Sequence, residues 1–246
     1  MITPSRRLDF TEIPVLDIEP LLAGENGQEC IEMLRAACSE VGFFYIKNHQ
    51  VPTSLISDLK YAAGEFFCAS TDEKMALVIS PQIQGYLPLG YRSYEGEKRA
   101  GTSHQEGFWI GHDRPTSAEY PLDGPNQWPE HCVPLKGTML RYFAEVECLA
   151  DALLRGFALA LDLEEDQLLK YFNKPLSRLK VNHYPPQRSP VREDNLGVVP
   201  HTDSGGFTIL WQDEIGGLEV QNKNGEWVGA PPVADTFVIN IGNIME

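Results

Sequence analysis

The first seventy residues alternate between strand-like and helical spacing of apolar positions. Short apolar runs, IPVLDI and FFYIKN, predict two strands. Between them, QECIEMLRAACSEVG has apolar residues at helical spacing, and Gly42 stands where glycine commonly ends a helix. PTSLISDLKYAAGEFFCAS predicts a second helix. The residues expected to face the core from these two helices are Cys30, Leu34, Ala37, Val41, Leu55, Leu59, Ala62 and Phe66.

The middle of the chain changes character twice. Between residues 71 and 134, glycine, proline and aromatic residues are mixed, which predicts mostly loop with short strands. A continuous apolar stripe then predicts a long helix over 135–161, and EEDQLLKYF predicts a further short helix. The stripe consists of Leu140, Phe143, Val146, Ala150, Leu153, Phe157 and Leu161.

After Pro175 the apolar period becomes two. RLKVNHY alternates, and GVV, FTILW, GLEVQ, EWV and TFVINI read as short strands separated by turn residues. Helices followed by many short strands predict an α+β fold whose strands curl into a sandwich or barrel. We divide the chain into an N-terminal region, 1–135, and a region of long helix plus strands, 136–246. Because such a barrel would have unpaired strand edges if it ended after TFVINI, we expect the natural protein to continue.

Composition narrows the classes of partner. The 246 residues carry a formal net charge of −15, which argues against nucleic acid, since phosphate binding needs clustered Lys and Arg. The sequence contains neither the apolar core of a signal peptide nor a run of membrane-spanning length. Five scattered cysteines without C-x-x-C are typical of reduced thiols and predict a cytoplasmic protein. Oligomeric state stays open.

His201 and Asp203 form the candidate metal motif. The pair is expected at a strand end, and residues at i and i+2 on a strand point to the same face, so the imidazole and the carboxylate can converge on one ion. One nitrogen and one hard oxygen suit Fe(II), Mn(II) or Zn(II), and two histidines with one carboxylate are typical of non-haem Fe(II). A site of that kind needs a third protein ligand, and no histidine follows Asp203 in these residues.

The surroundings of this motif resemble a known family. PHTDSGGFTILWQDEIGGLEVQNKNGEWVGAPPVADTFVINIGN is similar to the core of the Fe(II)/2-oxoglutarate-dependent dioxygenases, in the isopenicillin N synthase-like branch. RLKVNHYPP resembles the N-x-Y-x-P strand before that core, and IPVLDI and GFFYIKNH resemble the N-terminal region. The resemblance covers nearly the whole chain and is weakest over 71–134.

The resemblance implies a double-stranded β-helix, or jelly roll, with supporting helices. It implies Fe(II) at His201, Asp203 and a distal histidine expected beyond Glu246, followed by an Arg and a Ser that hold 2-oxoglutarate. By family position, Asn182 and Tyr184 contact 2-oxoglutarate and Lys180 faces the substrate. The resemblance further implies that dioxygen and 2-oxoglutarate are consumed, that succinate and carbon dioxide form, and that a small molecule is oxidised.

Alternation along RLKVNHY supports a polar pocket wall without the family. Lys180, Asn182 and Tyr184 share one face, which lines either a pocket or solvent. In HQEGFWIGHD, Phe108 and Trp109 are candidates for a substrate-side wall, because this segment folds over the metal in the family, but ordinary core packing is an equal alternative. The other histidines, including His183, have no partner at ligand spacing.

Three other functions compete with the leading one. An Fe(II) oxidase of the same branch would need no 2-oxoglutarate, and the Arg–Ser pair that separates the two lies outside the sequence. A catalytically silent binding protein follows if the natural chain ends at Glu246. A zinc hydrolase fits the ligand types alone. Two departures from the family are Ala234–Asp235, where Pro-Gly is usual and a different turn is expected, and Asn243, where Asp is common.

Overall fold

The computed structural model describes residues 13–24, 27–91, 103–187, 196–222 and 224–245. The chain divides into two compact units, each built from separate stretches. Unit 1 comprises residues 1–53, 145–174 and 202–246, and unit 2 comprises residues 54–144 and 175–201. The predicted division at residue 135 separates two consecutive regions of the sequence, whereas each unit combines separate stretches. The units therefore do not test that division, and it stays a prediction.

Unit 1 contains a four-stranded sheet. In chain order its elements are β1 (Val15–Asp17), α1 (Glu19–Leu22), α2 (Gln28–Ala36), a π-turn (Ala37–Val41), β2 (Phe43–Lys47), β6 (Phe207–Leu210), β7 (Glu219–Gln221), β8 (Trp227–Gly229) and β9 (Thr236–Ile241). The sheet order is β1-β2-β9-β6, parallel between β1 and β2 and otherwise antiparallel. The strands β7 and β8 form a separate antiparallel pair.

Unit 2 contains a three-stranded antiparallel sheet, β3-β4-β5. Its elements are α3 (Thr53–Phe67, beginning at the last residue of unit 1), α4 (Thr71–Met75), β3 (Gly85–Leu87), β4 (Glu106–Gly111) and β5 (Arg178–His183). A fifth helix, α5 (Val133–Ala160), contributes its first part to unit 2 and the remainder to unit 1. Among the described residues, no helix is both long and apolar enough to cross a membrane.

Most of the predicted elements are confirmed. The predicted core residues of α2, the π-turn and α3 are buried, and the left-handed Gly42 (φ 79°) ends the first helical segment. The strands predicted from RLKVNHY, FTILW, GLEVQ, EWV and TFVINI are all present. Within 71–134, the short strands β3 and β4 appear as expected, and residues 92–102 lie outside the described residues.

Three predictions were wrong in whole or in part. EEDQLLKYF forms turns and a three-residue 3-10 helix (Leu169–Tyr171) rather than a helix along its length, and GVV is not a strand. The predicted apolar stripe of α5 is right in the second half of the helix, where Leu153 and Phe157 are buried. In the first half Leu140 is exposed, whereas Leu135, Met139 and Tyr142 are buried. Sequence periodicity therefore located this helix and the covered side of its second half, but not the covered side of its first half.

Candidate metal and cosubstrate site

His201 and Asp203 do not lie on a strand. The described backbone is irregular from residue 196 until β6 begins at Phe207, so the prediction that strand geometry directs both side chains to one face was wrong. Local hydrogen bonds orient each side chain instead. His201 Nδ1 lies 2.9 Å from the Val199 carbonyl oxygen, so this nitrogen carries the proton and donates it. That tautomer has its lone pair on Nε2, as in most metal-binding histidines.

The Asp203 carboxylate is oriented by two side chains from neighbouring strands. Its Oδ2 accepts hydrogen bonds from Thr208 Oγ1 on β6 (2.5 Å) and from Asn240 Nδ2 on β9 (2.8 Å). Thr208 and Asn240 are directly opposite each other in the β6–β9 ladder, so the sheet itself sets the spacing of the two donors. A carboxylate held in this way suits a ligand to a hard divalent cation.

Hydrogen bonds connect the loop that carries Asp203 to the segment after β9. Asn243 donates from its backbone N–H to the Asp203 carbonyl oxygen (2.9 Å) and from its side chain to Thr202 Oγ1 (3.1 Å). Gly242 approaches the loop so closely that a Cβ there would lie 2.2 Å from the Gly205 carbonyl oxygen. The backbone N–H and the side-chain amide of Asn243 therefore both help to hold this loop.

The other departure from the family falls at a turn with unusual backbone geometry. Asp235 has φ 53°, in the left-handed region that glycine adopts readily and that Asp tolerates better than most residues. The following Thr236 donates from Oγ1 to the Val233 carbonyl oxygen (2.9 Å), which closes the turn just before β9 begins.

The predicted cosubstrate and substrate residues lie along β5 and the adjoining β4. Lys180 and Asn182 are opposite Trp109 and Gly107, so these residues share one face of the sheet. Lys180 Nζ lies 5.2 Å from the centre of the Trp109 ring and 3.4 Å from Gln105 Oε1. A Cβ on Gly107 would lie 2.8 Å from Lys180 Cε, so glycine leaves room for this side chain.

Tyr184 follows β5 and is half exposed. Its ring lies beside Gly197, where an added Cβ would be 3.1 Å from the ring atom Cδ1. The ring therefore packs against the segment that leads to Val199, whose carbonyl accepts from His201. We call the side of the sheet with Lys180, Asn182 and Trp109 the polar face.

Phe108 lies on the opposite, packed face of the same sheet. It is fully buried, with ring-centre distances of 4.8 Å to Phe66 and 6.3 Å to Trp128. Because neighbouring strand residues point in opposite directions, Phe108 and Trp109 cannot both line one wall. The structure gives Phe108 the packing role that was the alternative.

The remaining histidines have other contacts. The buried His49 packs edge-on against Phe237 and accepts from the Val51 N–H, and burial lowers its pKa. His112 packs against Phe143, and His183 pairs with Glu106 (2.7 Å). Within the described ranges, no group of three His, Cys, Asp or Glu side chains is arranged to hold a metal. Sequence reasoning missed Glu106, Thr208 and Asn240, whose only signal is a polar residue within an apolar strand.

Comparison with known proteins decides the family. A model of the 2OG-Fe(II) oxygenase superfamily matches residues 175–246, and a model of the N-terminal region of non-haem dioxygenases in morphine synthesis matches residues 13–131. Homoarginine-6-hydroxylase of Glycine max is 32% identical over 97% of this chain and 77% of its own. The chain belongs to the 2OG-Fe(II) oxygenase superfamily.

Further relatives agree with this family. Clavatol oxidase of Penicillium crustosum is 34% identical over 95% of this oxygenase chain and 76% of its own. The crystal structure of a full-length Neurospora crassa protein in complex with alpha-KG has a TM-score of 0.85 at 24% identity, over 100% of this chain and 78% of its own, and shows likeness of fold. JOX2 in complex with 2OG, Fe and JA has a TM-score of 0.77 at 28% identity, over 99% and 68%.

These findings confirm three of the predictions. The family, the jelly-roll class of fold within an α+β chain, and an enzyme that uses Fe(II) and 2-oxoglutarate were all expected from the motifs.

Proposed function

We propose that this oxygenase oxidises a small molecule, by hydroxylation, desaturation or ring closure, at an iron held by His201, Asp203 and the distal histidine expected from the family pattern. The observation that carries the proposal is that hydrogen bonds orient the side chains of two of the expected metal ligands. His201 donates from Nδ1 to Val199, and Asp203 accepts from Thr208 and Asn240. Outer hydrogen bonds of this kind orient metal ligands and increase their basicity.

Bound ferrous iron would supply a template for 2-oxoglutarate and dioxygen and the means of oxygen activation. The protein contributes orientation. Thr208 and Asn240 fix the rotation of the Asp203 carboxylate, and the Val199 carbonyl fixes the tautomer of His201. The two hydrogen bonds from Asn243, to the Asp203 carbonyl oxygen and to Thr202 Oγ1, hold the loop that carries Asp203.

We assign Asn182 and Tyr184 to 2-oxoglutarate. An amide and a phenol are hydrogen-bond donors suited to carboxylate oxygens. Asn182 lies in the last part of β5 and Tyr184 directly follows it, at the end of the strand nearest in sequence to the metal motif. Their support comes from position in the family pattern and from the polar face on which Asn182 lies.

We assign Lys180 and Trp109 to the substrate. The ammonium group beside the indole offers a charged and an aromatic contact within one patch of the polar face. Phe108 is left out of this assignment because it belongs to the packed face. A cytoplasmic location is also part of the proposal, and it is supported by the five cysteines, all of which are free thiols.

The test measures succinate formation and iron affinity in the complete natural protein. His201→Ala and Asp203→Ala should each lower 2-oxoglutarate turnover more than about a hundredfold, since losing an outer partner alone typically costs about 10- to 100-fold. His131→Ala and Asp58→Ala serve as matched controls and should retain turnover and iron affinity. Undiminished succinate from either ligand variant would overturn the assignment. Substrate oxidation without consumption of 2-oxoglutarate would indicate the oxidase instead.

A further inference from the structure

A buried carboxylate lies in unit 2, on the face of the β4–β5 sheet opposite the polar face. Glu106 on β4 is 5% exposed, and three side chains converge on it. Lys74 Nζ donates to Oε2 (2.8 Å), the Tyr86 hydroxyl donates to the same oxygen, and His183 Nδ1 lies 2.7 Å from Oε1. We call these four residues the Glu106 cluster.

The cluster keeps Glu106 ionised. Burial by itself would raise the pKa of this carboxyl, but hydrogen bonds from Lys74, Tyr86 and His183, together with the charge of Lys74, lower it below its ordinary value. Burial and the adjacent carboxylate raise the pKa of Tyr86, so its hydroxyl remains a donor. The Glu106 carboxylate therefore stays ionised at neutral pH and accepts hydrogen bonds from all three side chains.

The three donors come from three different elements. Tyr86 lies on β3, His183 on β5, and Lys74 on α4, which begins at a capping box of Ser70 and Glu73. Lys74 also donates to the Phe67 carbonyl oxygen at the end of α3 (3.1 Å). One carboxylate thus connects every strand of the sheet and both helices, α3 and α4, beside it.

His183 is the member of the cluster that reaches the proposed cosubstrate residues. It is the cross-strand partner of Glu106, and its ring stacks on Phe67 at 5.2 Å. In sequence it stands between Asn182 and Tyr184. Because successive strand residues face opposite ways, holding His183 on the packed face keeps Asn182 on the polar face. A slip of one residue would exchange the two faces.

The hydrogen bonds of the Glu106 cluster are directional, and apolar packing would not provide that direction. Apolar residues of similar volume often stabilise a core as well as a buried ion pair does, so stability alone gives little reason for charge at this place. Hydrogen bonds are directional, and the bond to Oε1 sets the rotation of the imidazole as well as its depth.

We propose that Glu106 and His183 are positioning residues for 2-oxoglutarate. Glu106 holds the His183 imidazole, and His183 in turn fixes the backbone from which Asn182 and Tyr184 present their side chains. This inference rests on the proposed role of Asn182 and Tyr184. Neither Glu106 nor His183 contacts the cosubstrate in this proposal.

The experiment compares two substitutions that each remove one donor from the same carboxylate. His183→Leu removes the donor on β5 and keeps an apolar contact with Phe67, whereas Tyr86→Phe removes the donor on β3. Both should lower the unfolding midpoint. Calorimetric titration with 2-oxoglutarate, in the Fe(II)-loaded complete protein under nitrogen, should show a Kd about tenfold higher for His183→Leu and within about twofold of wild type for Tyr86→Phe. His183→Gln keeps an N–H donor and should recover part of the affinity.

A second measurement needs no metal. Amide hydrogen exchange of the metal-free protein should be faster at Asn182 and Tyr184 in His183→Leu than in Tyr86→Phe. Equal 2-oxoglutarate affinity in wild type and His183→Leu, or equal losses in both variants, would overturn the positioning role alone. Wild-type protein that binds iron but no 2-oxoglutarate would instead overturn the proposed function, and this inference with it.

Discussion

The two faces of the β4–β5 sheet are built from alternate residues of the same strands, yet they differ in almost every respect. The packed face combines the fully buried Phe108 and Ile110 with the Glu106 cluster. The polar face carries Lys180, Trp109 and the exposed Asn182. On the packed face, the polar groups of the Glu106 cluster are paired with one another. On the other face, Asn182 is exposed, and the partly buried Lys180 lies beside the Trp109 ring.

Two adjacent residues of similar chemistry can therefore belong to different faces. Phe108 and Trp109 are neighbours and both aromatic, and both were candidates for one wall. Because side chains alternate along a strand, Phe108 lies on the packed face and Trp109 on the polar face. Substituting each residue should therefore change the free energy of unfolding by a different amount.

The largest expected effect separates these two aromatic residues. Phe108→Ala should lower the free energy of unfolding by about 3–5 kcal/mol, because it empties a fully buried ring site in the core. Trp109→Ala should cost less than half as much, since this side chain is only partly buried and lies on the polar face. Urea unfolding measures both. Equal losses would contradict the distinction between the faces.

A smaller effect concerns the charge of Glu106. Its pKa in the folded protein lies below the ordinary value of 4.5, so its ionisation stabilises the fold above that pH. This contribution is lost as pH falls through the lowered pKa. Glu106→Gln should reduce stability at pH 7 by about 2–3 kcal/mol and flatten the decline below about pH 4.5. An unchanged pH profile of unfolding would show that Glu106 is not the group responsible.

The smallest expected effect divides the polar face itself. Asn182→Ala should raise the Kd for 2-oxoglutarate about tenfold, as expected for one lost hydrogen bond to a charged ligand. Lys180→Met should leave that Kd within about twofold of wild type, because Lys180 is assigned to the substrate. Calorimetry with the Fe(II)-loaded protein distinguishes them. A larger loss in Lys180→Met would exchange the two assignments.

Much of the molecule followed from local pattern. Apolar periodicity predicted α2, α3, α5 and the strands β5 and β9, since burial of one face demands a regular spacing of apolar residues. The H-T-D motif with its neighbours was enough to identify the family, because metal and cosubstrate binding restrict the residue types at particular positions.

Only the tertiary structure decided which groups meet across large separations in sequence. Asp203 accepts from Asn240, 37 residues away, and Glu106 pairs with His183, 77 residues away. A single polar residue in an apolar strand does not reveal its partner, because strand pairing and register bring the two together. The covered side of the first half of α5, and the opposite directions of Phe108 and Trp109, also depend on which surfaces the completed fold buries.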